Sequence, residues 1–229
     1  MAERIEAGFG ELAELYADVF AGPPWNEYTQ CACNKYFGRE TRAGDICPDG
    51  ECQNRSILVP AYPRIETGEK IKKECARPDA VTFVIKKGQD IVGFSWGFSY
   101  QSPEEFAIEK YRTDGVRNKM VNLLTQYGVS SKFFYFSECG VKETERGNGY
   151  SNLLAKLLVD QARNNNLPLV MRTNWQSPMV AVARKFDMQQ VMGPEVYIDN
   201  LSKTITQTGN IVNGIRDSEI GDRVLFVIQ

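Results

Sequence analysis

The apolar run Phe133-Phe134-Tyr135-Phe136, the turn Arg146-Gly147-Asn148-Gly149-Tyr150-Ser151 and the stripe Leu153, Leu154, Leu157 and Leu158 succeed one another closely in the chain. No other stretch constrains the fold as much. A strand over 133–141 feeds a glycine turn, a helix runs to about Asn164, and Leu169-Val170-Met171 reads as a short strand. A helical crossover between two strands of one sheet makes them parallel. The turn also implies a chemistry. Its two glycines let the backbone bend until several N–H groups point outward together. The helix adds its unpaired first-turn N–H groups and positive dipole end, and Arg146 adds a full charge. A pyrophosphate is the expected ligand.

The rest of the pattern builds an α/β chain around that unit. Phe9, Leu12, Tyr16, Val19 and Phe20 recur at helical spacing until Gly22-Pro23-Pro24 stops the helix, so residues 6 to 20 predict an amphipathic helix. A short helix is expected at about 66 to 76. Val81 to Ile85 and Ile91 to Phe98 are β-branched and aromatic, and flank the turn sequence Lys87-Gly88-Gln89-Asp90, which predicts an antiparallel hairpin. Ser102-Pro103-Glu104-Glu105 opens one or two helices over 103 to 127. A further helix at about 177 to 186 and strands near 189 to 198 and 222 to 228 complete the expectation.

Composition excludes several functions. The net charge of −2 offers no basic field for nucleic acid. No apolar run approaches the roughly 20 residues that span a bilayer, and the acidic N-terminus is unlike a signal peptide. Neither nucleic acid nor membrane is expected as a partner, and the expected location is cytoplasmic. Histidine is absent, so Ser-His-Asp triads and mixed Cys/His metal sites are excluded.

With its surroundings, the turn resembles the pyrophosphate signature of the GNAT superfamily of N-acetyltransferases: Gln or Arg, two residues, Gly, one residue, then Gly or Ala. Ser151 stands at the last position, where a small residue at a helix start still admits the ligand. Ile91 to Gly97 looks like the family's third strand. The resemblance implies one domain over 1–229, with a Cys-rich insertion at about 25–64 and a helical insertion at about 101–130. Its fold is a mixed, mostly antiparallel sheet with a splayed parallel strand pair and helices on both faces. The family's first strand has no candidate before Phe9, which leaves it absent or supplied by the insertion.

That resemblance further implies acetyl-CoA as co-substrate, with a small-molecule amine or a peptide as acceptor. Arg146, Gly147, Asn148, Gly149, Tyr150 and Ser151 would hold the pyrophosphate. Cys139, Gly140 and Val141 would pair with pantetheine, Gly140 suiting a bulge, and Asn174 would touch the cofactor. Glu138 is the candidate base, the alternative being a substrate-ammonium or strand-surface role. The helix tyrosine that often serves the family as acid is replaced by Ala183, leaving Tyr150, Tyr197 and Cys139 as substitutes, or no acid at all. Trp96, Tyr100 and residues 101–130 would lie near the acceptor, unless Trp96 belongs to the core. Glu104, Glu105 and Glu109 read as a solvated face or a recognition patch. A non-catalytic acyl-CoA sensor and transfer of another acyl group are the alternatives, and a homodimer is left open.

Four cysteines, Cys31, Cys33, Cys47 and Cys52, form two close pairs in a segment without apolar periodicity. Four thiolates can close a tetrahedral structural zinc site that stands in for a missing core. A disulfide or unligated thiols remain the alternatives. Cys75 and Cys139 read as small packed hydrophobes.

Overall fold

The computed structural model describes residues 2–4, 9–52, 56–199, 204–213 and 223–229. The first helix, α1 (Phe9–Phe20), buries Leu12, Leu15, Tyr16, Val19 and Phe20, as its spacing predicts; residues 6 to 8 of that expectation lie outside the described residues. α2 (Arg64–Cys75) packs beside it, and the hairpin β5 (Val81–Lys87) and β6 (Asp90–Tyr100) follows. Before α2, three two-residue strands, β2 (Thr29–Gln30), β3 (Tyr36–Phe37) and β4 (Val59–Pro60), make a small separate sheet in the Cys-rich segment. α3 (Pro103–Lys110) and α4 (Asp114–Gln126) lead to β7 (Phe133–Val141), then α5 (Tyr150–Asn164) and β8 (Leu169–Asn174). Ser102 caps α3, accepting the Glu105 amide at 3.3 Å. α6 (Met179–Lys185), β9 (Gln189–Ile198), β10 (Ile205–Val212) and β11 (Arg223–Ile228) end the chain.

With β1 (Ala2–Arg4), the main sheet has eight strands in the order β1-β5-β6-β7-β8-β11-β9-β10, and β7–β8 is its parallel pair. The first strand, expected to be absent or supplied by the insertion, is therefore Ala2–Arg4, paired antiparallel to β5. Three residues carry no readable period, which hid it. β10 was unpredicted for a different reason. Its exposed, polar Thr, Gln and Asn side chains do not alternate with buried apolar ones as a half-buried strand would.

β6 shows how the sheet accepts helices on both faces. Phe94, Trp96, Phe98 and Tyr100 point one way, toward α1, α2, α3 and α4. Gly93, Ser95 and Gly97 point the other way and let α5 come close: Ser95 Oγ donates to the Leu154 carbonyl at 3.3 Å. A Cβ on Gly97 would stand 2.6 Å from the Phe134 ring. Burial of each such aromatic contributes roughly 1.5–3 kcal/mol. Trp96 and Tyr100 are fully buried, so both are core residues and neither lines the cleft described below.

Candidate active site

The cleft originates where β7 and β8 part. They pair only from Phe134–Leu169 to Phe136–Met171, after which β7 runs on to Val141 beside β6 while β8 pairs with β11. At the parting point β7 carries an extra residue: Trp96 faces Glu138 and Gly97 faces Phe136, leaving Ser137 without an opposite number. Such a bulge re-aims side chains. Ser137 and Glu138 both turn toward α1 and α2, where Ser137 Oγ donates to Glu74 at 3.2 Å and Tyr16 Oη donates to Glu138 at 3.1 Å. The bulge is thus at Ser137 and not at the expected Gly140. Gly140 is needed for space instead, because a Cβ there would lie 2.4 Å from the Phe94 ring and 2.9 Å from Val19.

Two cavities open on either side of this point. The outer end of the cleft, about 210 Å³, is lined by Val141, Arg146, Gly147, Tyr150 and Ser151 together with Pro23 and Pro24. Gly147 and Gly149 have φ of +85° and +77°, the left-handed region that favours glycine, and neither has an atom within 4 Å of a built Cβ. Arg146 Nε donates to the Val141 carbonyl at 3.3 Å, tying the turn to the strand end. α5 begins at this opening, with Tyr150 and Ser151 in the lining and no side-chain cap on its first turn. Asn148, Gly149 and Asn174 do not line it. Asn148 donates to the Glu145 carbonyl at 3.0 Å, and the Asn174 carboxamide oxygen accepts the Gln176 amide at 2.8 Å.

The inner chamber, about 280 Å³, joins the first at Trp25, Cys139 and Met179, which line both. Three carboxylates reach it: Glu27, Glu74 and Glu138. Burial pushes Glu138 up to about 7, with neighbouring Glu74 adding to the rise and Lys70, the Tyr16 hydroxyl and Lys110 opposing it. Burial likewise raises Glu27, which accepts a hydrogen bond from Tyr62. Glu74 also accepts from Trp96 Nε1 at 2.8 Å. Burial and the charge on Glu138 hold the Cys139 thiol at about 12, well above its ordinary range. Of the expected substitute acids, Tyr197 is 60% exposed on β9 and lines neither cavity. Ala183 is buried on α6 against the sheet core.

Sequence reasoning missed Tyr16, Glu27, Tyr62, Glu74 and Arg223 as cavity residues. They come from distant segments, and only the helical period of Tyr16 gave any signal, which pointed to the core. Glu105 and Glu109 prove to be partners of Arg77, whose guanidinium stands 4.0 Å from the Phe98 ring centre.

No known family profile and no curated protein matches the sequence. Solved structures do. A Drosophila melanogaster polyamine N-acetyltransferase that forms N-acetylagmatine is similar over 100% of both chains, with a TM-score of 0.52 at 13% identity. A mosquito arylalkylamine N-acetyltransferase-like protein is similar over 100% of this chain and 99% of its own, with a TM-score of 0.50 at 11% identity. This chain has the GNAT fold. In the GNAT fold, parting parallel strands followed by a glycine turn form the cleft, and that arrangement is the one described above.

A second cluster lies in the Cys-rich segment. The sulfurs of Cys31, Cys33, Cys47 and Cys52 all lie within 4.8 Å of one another, with Cys31–Cys52 at 3.6 Å and Cys33–Cys47 at 4.0 Å. Tetrahedral zinc with Zn–S bonds of about 2.3 Å separates its sulfurs by about 3.8 Å, whereas a disulfide needs about 2.05 Å. The four residues fit the metal.

Proposed function

We propose that the chain transfers an acetyl group from acetyl-CoA to a primary amine, with Glu138 as the base. The observation that supports this most is the meeting of two cavities at Cys139, one floored by a phosphate-type turn and the other holding a carboxylate raised to about 7. The pyrophosphate would lie against Arg146, Gly147, Asn148, Gly149, Tyr150 and Ser151, through backbone N–H groups where side chains do not reach. Pantetheine would run along Cys139, Gly140 and Val141. Asn174 would touch the cofactor only by releasing its own turn.

The amine nitrogen attacks the thioester carbon, a C–N bond forms, the C–S bond breaks, and the amine proton passes to Glu138. A carboxylate near pKa 7 accepts that proton at neutral pH and returns it to solvent. Ala183 cannot protonate the leaving group and no acid is assigned in its place, so CoA would depart as a thiolate while alignment of the reactants supplies much of the rate. Tyr16 positions Glu138 and does not touch the reacting atoms.

The cysteines Cys31, Cys33, Cys47 and Cys52 would hold a structural zinc with no open coordination position. Cysteine thiolates held by zinc persist best where thiols stay reduced, which agrees with a cytoplasmic location. The test is a thermal-shift series with acetyl-CoA and longer acyl-CoAs, followed by thiol release with amines and peptides. Stabilisation by acetyl-CoA with turnover is expected. Stabilisation without turnover on any acceptor would favour a sensor, and failure of every CoA ester to bind would overturn the reading.

A further inference from the structure

The two cavities differ in character, and the change falls at three residues. Around the turn the lining is largely uncharged, with Val19, Pro23, Pro24, Val141 and Pro178 along its walls. The inner chamber adds Lys70, Lys110, Arg172 and Arg223 to its three carboxyls. Trp25, Cys139 and Met179 line both and form the neck between them. Trp25 is the largest of the three and is held from several directions. Its amide donates to the Gly22 carbonyl at 3.1 Å, its ring tilts against Phe20 with centres 5.3 Å apart, and the Arg223 guanidinium lies 4.5 Å from its ring centre. Met179 opens α6, where its amide donates to Ser177 Oγ at 3.2 Å. The Cys139 thiol stays protonated at neutral pH, so the neck presents no charge of its own.

We propose that this neck is the acyl-binding site for the donor, and that Trp25 limits the transferred group to acetyl or one of similar size. This rests on the acetyltransferase reading and names which acyl-CoA that site accepts. With the pyrophosphate at the turn and the base in the inner chamber, the thioester lies between them, where these three residues stand. A methyl fits there against uncharged indole, thioether and thiol surface. A longer chain has two courses. Straight on, it would enter the chamber among three carboxyls and four cations, strip their water without offering hydrogen bonds in return, and occupy the acceptor's space. Sideways, it meets Trp25, which cannot turn aside while Phe20 and Arg223 pack on it. Removing the indole would open the second course onto Phe20 and Val19, an apolar bed for further methylenes.

The test needs no acceptor. Acetyl-, propionyl-, butyryl- and hexanoyl-CoA are titrated calorimetrically into the full chain, with free CoA as the reference. The parent protein should bind acetyl-CoA at least as tightly as CoA, and hexanoyl-CoA more weakly than acetyl-CoA by about tenfold or more, since one surplus methylene in a fitted pocket is worth roughly 10–200-fold. Trp25→Ala should narrow that gap by roughly threefold or more. Trp25→Phe keeps a ring against Phe20 and Arg223, so it should fold like the parent and show an intermediate preference. A parent protein that binds hexanoyl-CoA as tightly as acetyl-CoA would overturn the proposal and leave the acyltransferase reading in place. So would folded Trp25 variants whose preference matches the parent's. If neither CoA nor any of its esters binds, the reading itself fails and the proposal falls with it.

Discussion

As the proposed base, Glu138 would place activity and stability in opposition. A carboxyl whose pKa rises from 4.5 to about 7 on folding is most favourable where it is protonated in both states. Its contribution is lost as pH rises from about 4.5 through about 7, at a cost of roughly 3 kcal/mol at the upper end. Glu138→Gln should therefore lower kcat/KM by roughly 10²–10⁴-fold while raising the melting temperature at pH 8, read by turnover and thermal denaturation of the same samples. In the parent protein kcat/KM should fall about tenfold per pH unit below about 7, as the base becomes protonated. Tyr16→Phe tests the neighbour. Its hydroxyl stabilises the carboxylate, so removal should move that acidic limb to higher pH, with little effect on the plateau above it. A tyrosine serving only as packing would leave the limb in place.

At the scale of elements, β7 and the turn after it use glycine for two separate reasons, and substitution distinguishes them. At Gly140 a methyl would meet Phe94 and Val19, so Gly140→Ala should cost on the order of 1–3 kcal/mol in denaturant unfolding. At Gly147 there is room but φ is +85°, so Gly147→Ala should cost about 1–2 kcal/mol in stability. Its larger effect should be on acetyl-CoA affinity, measured by titration, because the bend aims the N–H groups. The turn was legible in sequence because its information is local: two glycines, a strand before and a helix after. The bulge at Ser137 was not, since it depends on the register between β6 and β7. Tyr16, Glu27, Glu74 and Arg223 belong to α1, the Cys-rich segment, α2 and β11, and only the strand order brings them to one chamber. Polar β10 and three-residue β1 gave too little periodicity to be read.

For the molecule as a whole, the Cys-rich segment is the weakest structure with the most to support. Its buried core is Cys31, Cys47, Cys52 and Leu58, with Cys33 and Phe37 packed against them, and its strands are two residues each. A core of that size does not hold a fold without a crosslink or metal. Yet the same stretch carries Glu27, Tyr36 and Tyr62 to the inner chamber, while Arg223 of β11 stacks on its Trp25 at 4.5 Å. Protein purified without chelator should contain about one zinc per chain by elemental analysis. Stripping that metal, or Cys47→Ser, should lower the melting temperature and expose the segment to protease before the main sheet. The turn proposed to hold acetyl-CoA lies between β7 and α5, and of the Cys-rich segment only Trp25 reaches its cavity, so cofactor affinity should change less than the KM for the amine. Equal loss of both would mean that the segment supports the whole sheet and not only the acceptor wall. A metal-free protein of unchanged stability would refute the zinc assignment, because nothing else among the described residues closes that core.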